Sequence, residues 1–201
     1  GSPLELNPDI DLKEIISHAK SKGVGVFLWM AWDQVEMCFD KIFRQYKEWG
    51  ADGMKIDFMD RSDQWMMSWY EKVMKEATKH QLIVDFHGSI CPKGLEREYP
   101  NLISYEGVLG IEQSTGCKPS NSIYLPFIRN VVGGMDFTPG SMNALHLENH
   151  HSSGELPAGI GTRAYQMALY VVFESGVQML ADSPSAYMNA AECTEFIAGT
   201  P

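Results

Sequence analysis

The chain contains 201 residues, of which 44% are hydrophobic and 21% are charged. This composition is typical of a folded globular domain and excludes a disordered segment. The formal net charge of −10, with only 16 scattered Lys and Arg residues, argues against nucleic acid or an anionic membrane as a partner and favours a neutral substrate. No apolar run is long enough to predict a membrane span.

The four cysteines lie far apart in the sequence and form no C-x-x-C motif. This spacing predicts free thiols and argues against a zinc cluster or a disulfide framework. The four are Cys38, Cys91, Cys117 and Cys193.

The first half of the chain repeats one unit, an amphipathic helix that ends at a glycine and is followed by a short apolar strand. Asp11 is the predicted N-cap of the first helix, which ends at Gly23. Asp33 and Glu36 predict the start of a second helix, which runs to Gly50. The predicted strands are Val24–Met30, Gly53–Phe58 and Leu82–Phe86, with a helix over 63–80 before the third. This alternation predicts a parallel sheet with right-handed crossovers.

The second half is less regular, and its hydrophobic runs predict three more strands. These strands are Leu102–Tyr105, Met135–Phe137 and Val177–Leu180, with helices near 123–132, 162–175 and 189–198. Six strands fit either a doubly wound open sheet or a (β/α)₈ TIM barrel without its first two strands. No G-x-G-x-x-G motif follows any strand, so the nucleotide-binding form of the open sheet lacks its fingerprint.

Polar residues follow the carboxyl ends of the successive predicted strands, where a barrel places its active site. They are Trp32, Asp33, Asp57, Asp60, His87, Glu106, Asp136 and Asp182. A complete barrel usually needs about 250 residues. We therefore expect an α/β fold in which residues 1–201 form one catalytic TIM barrel domain, truncated to roughly strands 3–8.

Lys55 and Asp57 lie on one face of a predicted strand because side chains alternate along it. A carboxylate there can act as a nucleophile, and a neighbouring ammonium group would keep it ionised. The competing interpretation is a buried Lys–Asp ion pair that only stabilises the fold.

Glu106 and Glu112 lie six residues apart, after the predicted strand Leu102–Tyr105. A glycosidase needs a second carboxyl group near the scissile oxygen, and a separation of about 5–5.5 Å between the two groups specifies retention. Glu106 could instead ligate a hard cation such as calcium, and both could be surface glutamates.

Other side chains could bind a sugar at the same edge. His87 could donate to a hydroxyl group or be a structural histidine, and Trp32 with Asp33 could offer an aromatic platform beside an acceptor. Trp29 fits either such a platform or the core. A polar loop later in the chain carries four possible metal ligands, His146, Glu148, His150 and His151. Metal binding there is disfavoured, because no helical register aligns these side chains.

The sequence resembles glycoside hydrolase family 97 in a series of motifs along nearly its whole length. These include Gly53-Met-Lys-Ile-Asp-Phe58, Asp85-Phe-His-Gly88, Tyr105-Glu-Gly-Val-Leu-Gly-Ile-Glu112 and Met135-Asp-Phe-Thr-Pro-Gly140. Inverting members are similar but have a glutamate directly after the histidine and no aspartate at the end of the earlier strand. Here Gly88 follows His87, and Asp57 stands on the earlier strand. The resemblance therefore implies the retaining, α-galactosidase-like branch.

This resemblance implies Asp57 as nucleophile, Glu112 as acid/base, Glu106 as a calcium ligand and an oligosaccharide or α-galactoside as substrate. Lys55, His87, Trp32 and Asp33 would bind the sugar. Many relatives have Arg and Gln where this chain has Leu109 and Ile111. Relatives also carry flanking β-domains, so truncation could expose sheet edges through which the chain forms homo-oligomers.

The resemblance further implies a bacterial enzyme in the periplasm or outside the cell. The chain begins with Gly1-Ser2, which is typical of a cloning remnant, so a native signal sequence would lie outside it.

Three alternatives to a retaining α-galactosidase remain open. The first is an inverting or retaining α-glucosidase of the same family. The second is a non-catalytic carbohydrate-binding barrel, which the Leu109 and Ile111 departures motivate. The third is a lyase or aldolase in which Lys55 forms a Schiff base, an option disfavoured because Asp57 would keep Lys55 charged.

Overall fold

The computed structural model describes residues 4–113, 117–151 and 158–200, so the expected remnant Gly1-Ser2 lies outside the described residues. The chain divides into two compact units, residues 1–105 and 106–201. The first unit contains α1 (Leu12–Ser21), β1 (Phe27–Ala31), α2 (Trp32–Met37), α3 (Phe39–Trp49), β2 (Gly53–Asp57), α4 (Gln64–Lys79), β3 (Ile83–Phe86), α5 (Leu95–Glu98) and β4 (Leu102–Tyr105). The second contains α6 (Pro119–Ser122), α7 (Leu125–Ile128), β5 (Ala144–Leu145), β6 (Gly159–Ile160), α8 (Arg163–Val172), α9 (Pro184–Asn189) and α10 (Ala191–Ala198).

The strands β1 to β4 form one sheet in chain order, and every pair in it is parallel. This confirms the predicted parallel α/β arrangement for the first unit. Trp29 pairs with Lys55, and Lys55 pairs with Asp85. A register shift after Val84 brings Ser104 beside Asp85.

The two faces of this sheet differ in chemistry. One face is apolar and packs in the main core against α3 and α4; its buried side chains are Met30, Met54, Ile56, Val84, Phe86 and Tyr105. The other face carries the row Trp29, Lys55, Asp85 and Ser104. Because a sheet buries an apolar face against helices, the polar row marks the face available for chemistry.

The helix starts agree with the sequence only in part. Asp11 caps α1 as predicted, since its carboxylate accepts a hydrogen bond of 2.9 Å from Glu14 N. The predicted cap at Asp33 is wrong: α2 begins at Trp32, and its N-cap residue is Ala31, which offers no side-chain oxygen. The expected single helix to Gly50 is interrupted at Cys38, where φ is −122°. No Gly or Pro marks this break.

Two of the six predicted strands are wrong. Met135–Phe137 and Val177–Leu180 are not strands in the described part of the chain. Met135 N instead donates to Glu174 O at 3.0 Å, and Phe137 O accepts from Ile111 N at 2.9 Å. Isolated bonds to loops have replaced the ladder that a strand needs. The parallel strands of this unit are the short β5 and β6.

The prediction of free thiols is confirmed for all four cysteines. Within the described residues, no helix combines the length and the apolar character that crossing a bilayer requires.

Candidate active site

Asp57 is the last residue of β2 and is 5% exposed. Its Oδ2 accepts a hydrogen bond of 2.9 Å from the indole Nε1 of Trp29. Its Oδ1 accepts one of 2.6 Å from the backbone N–H of Phe58. Both carboxylate oxygens of this predicted nucleophile therefore accept a hydrogen bond. From the sequence alone, Trp29 is predicted only as a sugar platform or a core residue.

Lys55 lies two residues earlier on the same face, and its Nζ lies 3.7 Å from Oδ2 of Asp85. Asp85 is completely buried, whereas the Lys55 side chain is 20% exposed. The pairing of β2 with β3 brings these two residues side by side. The sequence suggested Asp57 as the ion-pair partner of Lys55, whereas the structure gives Lys55 a partner from the next strand, Asp85, which sequence reasoning missed.

His87 and Gly88 follow β3, beside the end of β2. His87 is buried, and its backbone N–H donates to Ile56 O at 2.8 Å, which continues the parallel ladder. Gly88 has a φ of +55°, and a Cβ atom there would lie 2.7 Å from Oδ1 of Asp57 and 2.6 Å from Phe58 N. The carboxylate of Asp57 therefore occupies the space that a side chain at position 88 would need.

Trp32 and Asp33 stand in the first turn of α2, directly after β1. The half-buried ring of Trp32 makes edge contacts with Trp65 and Trp69, at centroid distances of 5.9 and 5.8 Å. Asp33 is exposed, and its carboxylate accepts from Gln34 N at 2.8 Å. Their sugar-binding roles stay predictions.

In the second unit, Glu106 directly follows β4 and is half-buried, while Glu112 is exposed in a 3₁₀ turn, Ile111–Gln113. The backbone N–H of Glu112 donates to Oγ1 of Thr138 at 3.1 Å. Ile111 is buried in an apolar cluster with Phe137. Two successive residues of the turn that carries Glu112 therefore contact Phe137 and Thr138.

Cys117 binds the backbone segment that leads into the same turn. Its thiol donates to the carbonyl oxygens of Leu109 at 3.0 Å and Gly110 at 2.7 Å. Burial, with a smaller contribution from the charge of Glu112, raises the pKa of the Cys117 thiol to about 12. The thiol stays protonated at neutral pH and remains a donor to this loop.

Arg129 fixes the backbone around Glu106. Its buried guanidinium donates to the carbonyl oxygens of Glu106 and Gly107 at 3.0 and 3.2 Å. It also donates to those of Gly133 and Gly134 at 2.9 and 3.0 Å. The planar, five-donor fork of Arg matches such a carbonyl cage.

Replacing Arg129 by Met is expected to lower the free energy of unfolding by about 3–5 kcal/mol, because four carbonyl oxygens lose a buried donor. Urea denaturation followed by circular dichroism measures this change. Arg129→Lys should recover little of it, since one ammonium cannot span four carbonyls. A stability within 1 kcal/mol of wild type for Arg129→Met, on the order of measurement error, would contradict the structural role.

The loop of His146, Glu148, His150 and His151 shows no metal-like arrangement among the described residues. His146 Nδ1 lies 3.8 Å from Glu148 Oε2 at an exposed position, and His150 Nε2 hydrogen-bonds to Ala158 O at 2.8 Å.

A parallel sheet with helices on one face, and with buried ionisable side chains at the carboxyl ends of its strands, defines the class of α/β proteins that place their functional groups at that edge. Residues 1–108 match the family described as Glycoside hydrolase 97. The chain belongs to glycoside hydrolase family 97, as the resemblance predicted.

The chain is similar to two proteins described as retaining α-galactosidases. It is 42% identical over 203 residues to "Retaining alpha-galactosidase" of Bacteroides thetaiotaomicron, with 98% of this chain and 31% of that protein covered. It is 34% identical over 178 residues to "Probable retaining alpha-galactosidase" of Streptomyces bingchenggensis, with 88% and 26% covered. The chain thus spans about a third or less of these relatives.

Among solved structures, the chain is similar to a glycoside hydrolase family 97 enzyme from Pseudoalteromonas sp. strain K8 in complex with panose. The TM-score is 0.85 at 25% identity, covering 98% of this chain and 33% of that one. This agreement supports the parallel α/β fold of the chain, which matches about a third of that structure.

Proposed function

We propose that the protein is a retaining exo-α-galactosidase whose chain forms part of a (β/α)₈ barrel. The observation that carries this proposal is the buried Asp57 carboxylate at the carboxyl end of β2, held on both oxygens by Trp29 and Phe58. The polar row on the same face of the sheet supports a barrel interior, because an interior active site requires ionisable groups there.

The mechanism is a double displacement. An oxygen of Asp57 forms a bond to the anomeric carbon as the glycosidic C–O bond breaks, and the carboxyl proton of Glu112 passes to the leaving oxygen. Glu112, now a carboxylate, then takes a proton from water as the water oxygen bonds to the anomeric carbon and the bond to Asp57 breaks. Two inversions leave the configuration retained.

Sugar binding is assigned to groups near Asp57. Lys55 and His87 offer donors to hydroxyl groups, and Trp32 and Asp33 offer an aromatic face and an acceptor. The Lys55–Asp85 pair supports this role, since a buried partner holds the ammonium in place while part of the Lys55 side chain stays accessible. The same pair opposes the aldolase alternative, because it stabilises a charged, non-nucleophilic Lys55.

Glu106 is proposed as one calcium ligand. A carboxylate oxygen is the hard donor that calcium prefers, and the Arg129 cage fixes the backbone that carries Glu106. Calcium takes six to eight oxygens, so further ligands must come from other groups. When bound, the ion would supply positive charge that polarises the sugar.

The first experiment is hydrolysis of aryl α-galactoside and aryl α-glucoside by the intact protein, with and without calcium, while NMR follows the first product anomer. We expect α-galactose to appear first. Initial β-galactose would establish inversion and remove Asp57 as nucleophile. Faster cleavage of the glucoside would favour the α-glucosidase alternative, and binding without turnover would favour a non-catalytic barrel.

Gly88→Ala is expected to lower kcat by about 100-fold, because its Cβ would displace the Asp57 carboxylate by a fraction of an ångström or more. Gly94→Ala is the matched control: Gly94 also has a positive φ, +101°, but no atom lies within 4 Å of an added Cβ. Backbone strain is thus common to both variants, and only Gly88→Ala meets Asp57. If the two variants lose kcat equally, the loss in Gly88→Ala comes from backbone strain and not from contact with Asp57.

A further inference from the structure

Trp29 contacts Asp57 through the polar atom of its ring. The indole Nε1–H donates to Oδ2 at 2.9 Å, and Phe58 N–H occupies the other oxygen at 2.6 Å. The carboxylate is almost fully buried. Hydrogen bonds to a charged acceptor are stronger than neutral ones, and partial removal from water strengthens them further.

The position of the ring is not explained by core packing. Trp29 is 51% exposed and lies outside the main core. Its ring meets the ring of Phe58 edge-on, at a centroid distance of 5.7 Å and an angle of 81°. Phe58 has a φ of +65°, which non-glycine residues seldom adopt and which is typical of functional sites.

We infer that Trp29 is a positioning residue that orients the Asp57 carboxylate for attack. This inference rests on the proposed function. The indole bond opposes rotation of the carboxylate, while each oxygen keeps a further lone pair for the anomeric carbon. The same bond stabilises Asp57 as a leaving carboxylate in the second step, so both displacements should depend on it.

Trp29→Phe in the intact protein tests this role, because it keeps an aromatic ring against Phe58 and removes only the N–H donor. We expect kcat to fall by about 10- to 100-fold and KM to stay within about two-fold. Covalent labelling by a mechanism-based fluoro-sugar should slow by a similar factor. The melting temperature should change little, since the ring is half exposed.

Trp69→Phe is the matched control. The indole of Trp69 also donates to a carboxylate, Oε2 of Glu36 at 2.8 Å, but the ring is 2% exposed in the core. This variant should lower the melting temperature more than Trp29→Phe while keeping kcat, because Phe keeps an aromatic ring against Trp32. If Trp29→Phe keeps the wild-type kcat, or loses kcat only in proportion to stability, the positioning role is overturned.

A spectroscopic measurement decides the contact without relying on activity. In protein labelled with ¹⁵N-tryptophan, the indole cross-peak lost in Trp29→Phe is that of Trp29. We expect Asp57→Asn to shift this peak and Asp52→Asn, at the other end of β2, to leave it unchanged. A peak unmoved by Asp57→Asn overturns the inference. An inactive wild-type protein whose peak does move would instead count against the proposed function alone.

Discussion

Asp57→Asn is expected to lower kcat on aryl α-galactosides by at least about 1,000-fold, since an amide cannot form the glycosyl-ester intermediate. Asn keeps the size of the side chain and an oxygen for the Trp29 or Phe58 donor. The fold should therefore persist, and the melting temperature should stay close to that of the wild type. Steady-state release of the aryl group and calorimetry measure the two quantities.

Asp52→Asn is the control for this substitution. Asp52 precedes the other end of β2, where its carboxylate accepts from Val26 N at 2.9 Å, a bond that an amide oxygen can also accept. We expect its kcat to stay within about two-fold of wild type, as is usual for a change remote from the chemistry. Equal losses of kcat in the two variants would show that activity depends on negative charge near this strand and not on attack by Asp57.

Adding azide to a variant without the carboxylate tests directly whether Asp57 is the nucleophile. In Asp57→Ala, the space on the nucleophile side is open, so azide can attack the anomeric carbon directly. One displacement inverts the configuration, and β-galactosyl azide is the expected product. Recovery of the α-azide from this variant would place the nucleophile elsewhere.

The first unit could be predicted well because its signals are local. Amphipathic helices that end at glycine alternate with strands, and a parallel sheet buries one apolar face whatever its partners are. The same pattern predicted the second strand as Gly53–Phe58, one residue beyond its end at Asp57. The break at Cys38 could not be predicted, because a helix without Gly or Pro there reads as continuous.

The partners of Asp57 and Lys55 depend on strand register, which the sequence does not contain. Asp85 alternates with the buried Val84 and Phe86, so its face could be predicted, but its pairing with Lys55 required the register of β2 and β3. Trp29 contacts Asp57 from β1. Its amphipathic ring fits core and site equally well, so residue type alone left its role undecided.

The structure of the second unit could not be predicted from the sequence, for a different reason. Its backbone carbonyl groups are bound in part by side chains distant in sequence, such as the Arg129 guanidinium on Glu106 and Gly107. Apolar runs such as Met135–Phe137 therefore read as strands although no ladder forms. Thr138 adopts a φ of +55°, and its hydroxyl anchors Glu112, neither of which has a sequence signal.

Glu112→Ala is expected to lower kcat on alkyl α-galactosides by about 100- to 10,000-fold, because the leaving oxygen loses its proton donor. An aryl galactoside with an acidic phenol needs no such proton, so its first step should remain fast. The second step then lacks a base, and the galactosyl-enzyme should accumulate. A burst of phenol followed by a slow steady state is the measurement.

Azide should act differently here than on the Asp57 variant. It can attack the accumulated galactosyl-enzyme without a base, which adds a second inversion and yields α-galactosyl azide with a faster steady state. Glu148→Ala is the control, because Glu148 is also an exposed glutamate in the middle of a 3₁₀ turn, Leu147–Asn149. It should show neither the burst nor the azide product. The α-azide from Glu112→Ala together with the β-azide from Asp57→Ala would assign the two carboxylates their separate roles, whereas the same anomer from both would exclude this assignment.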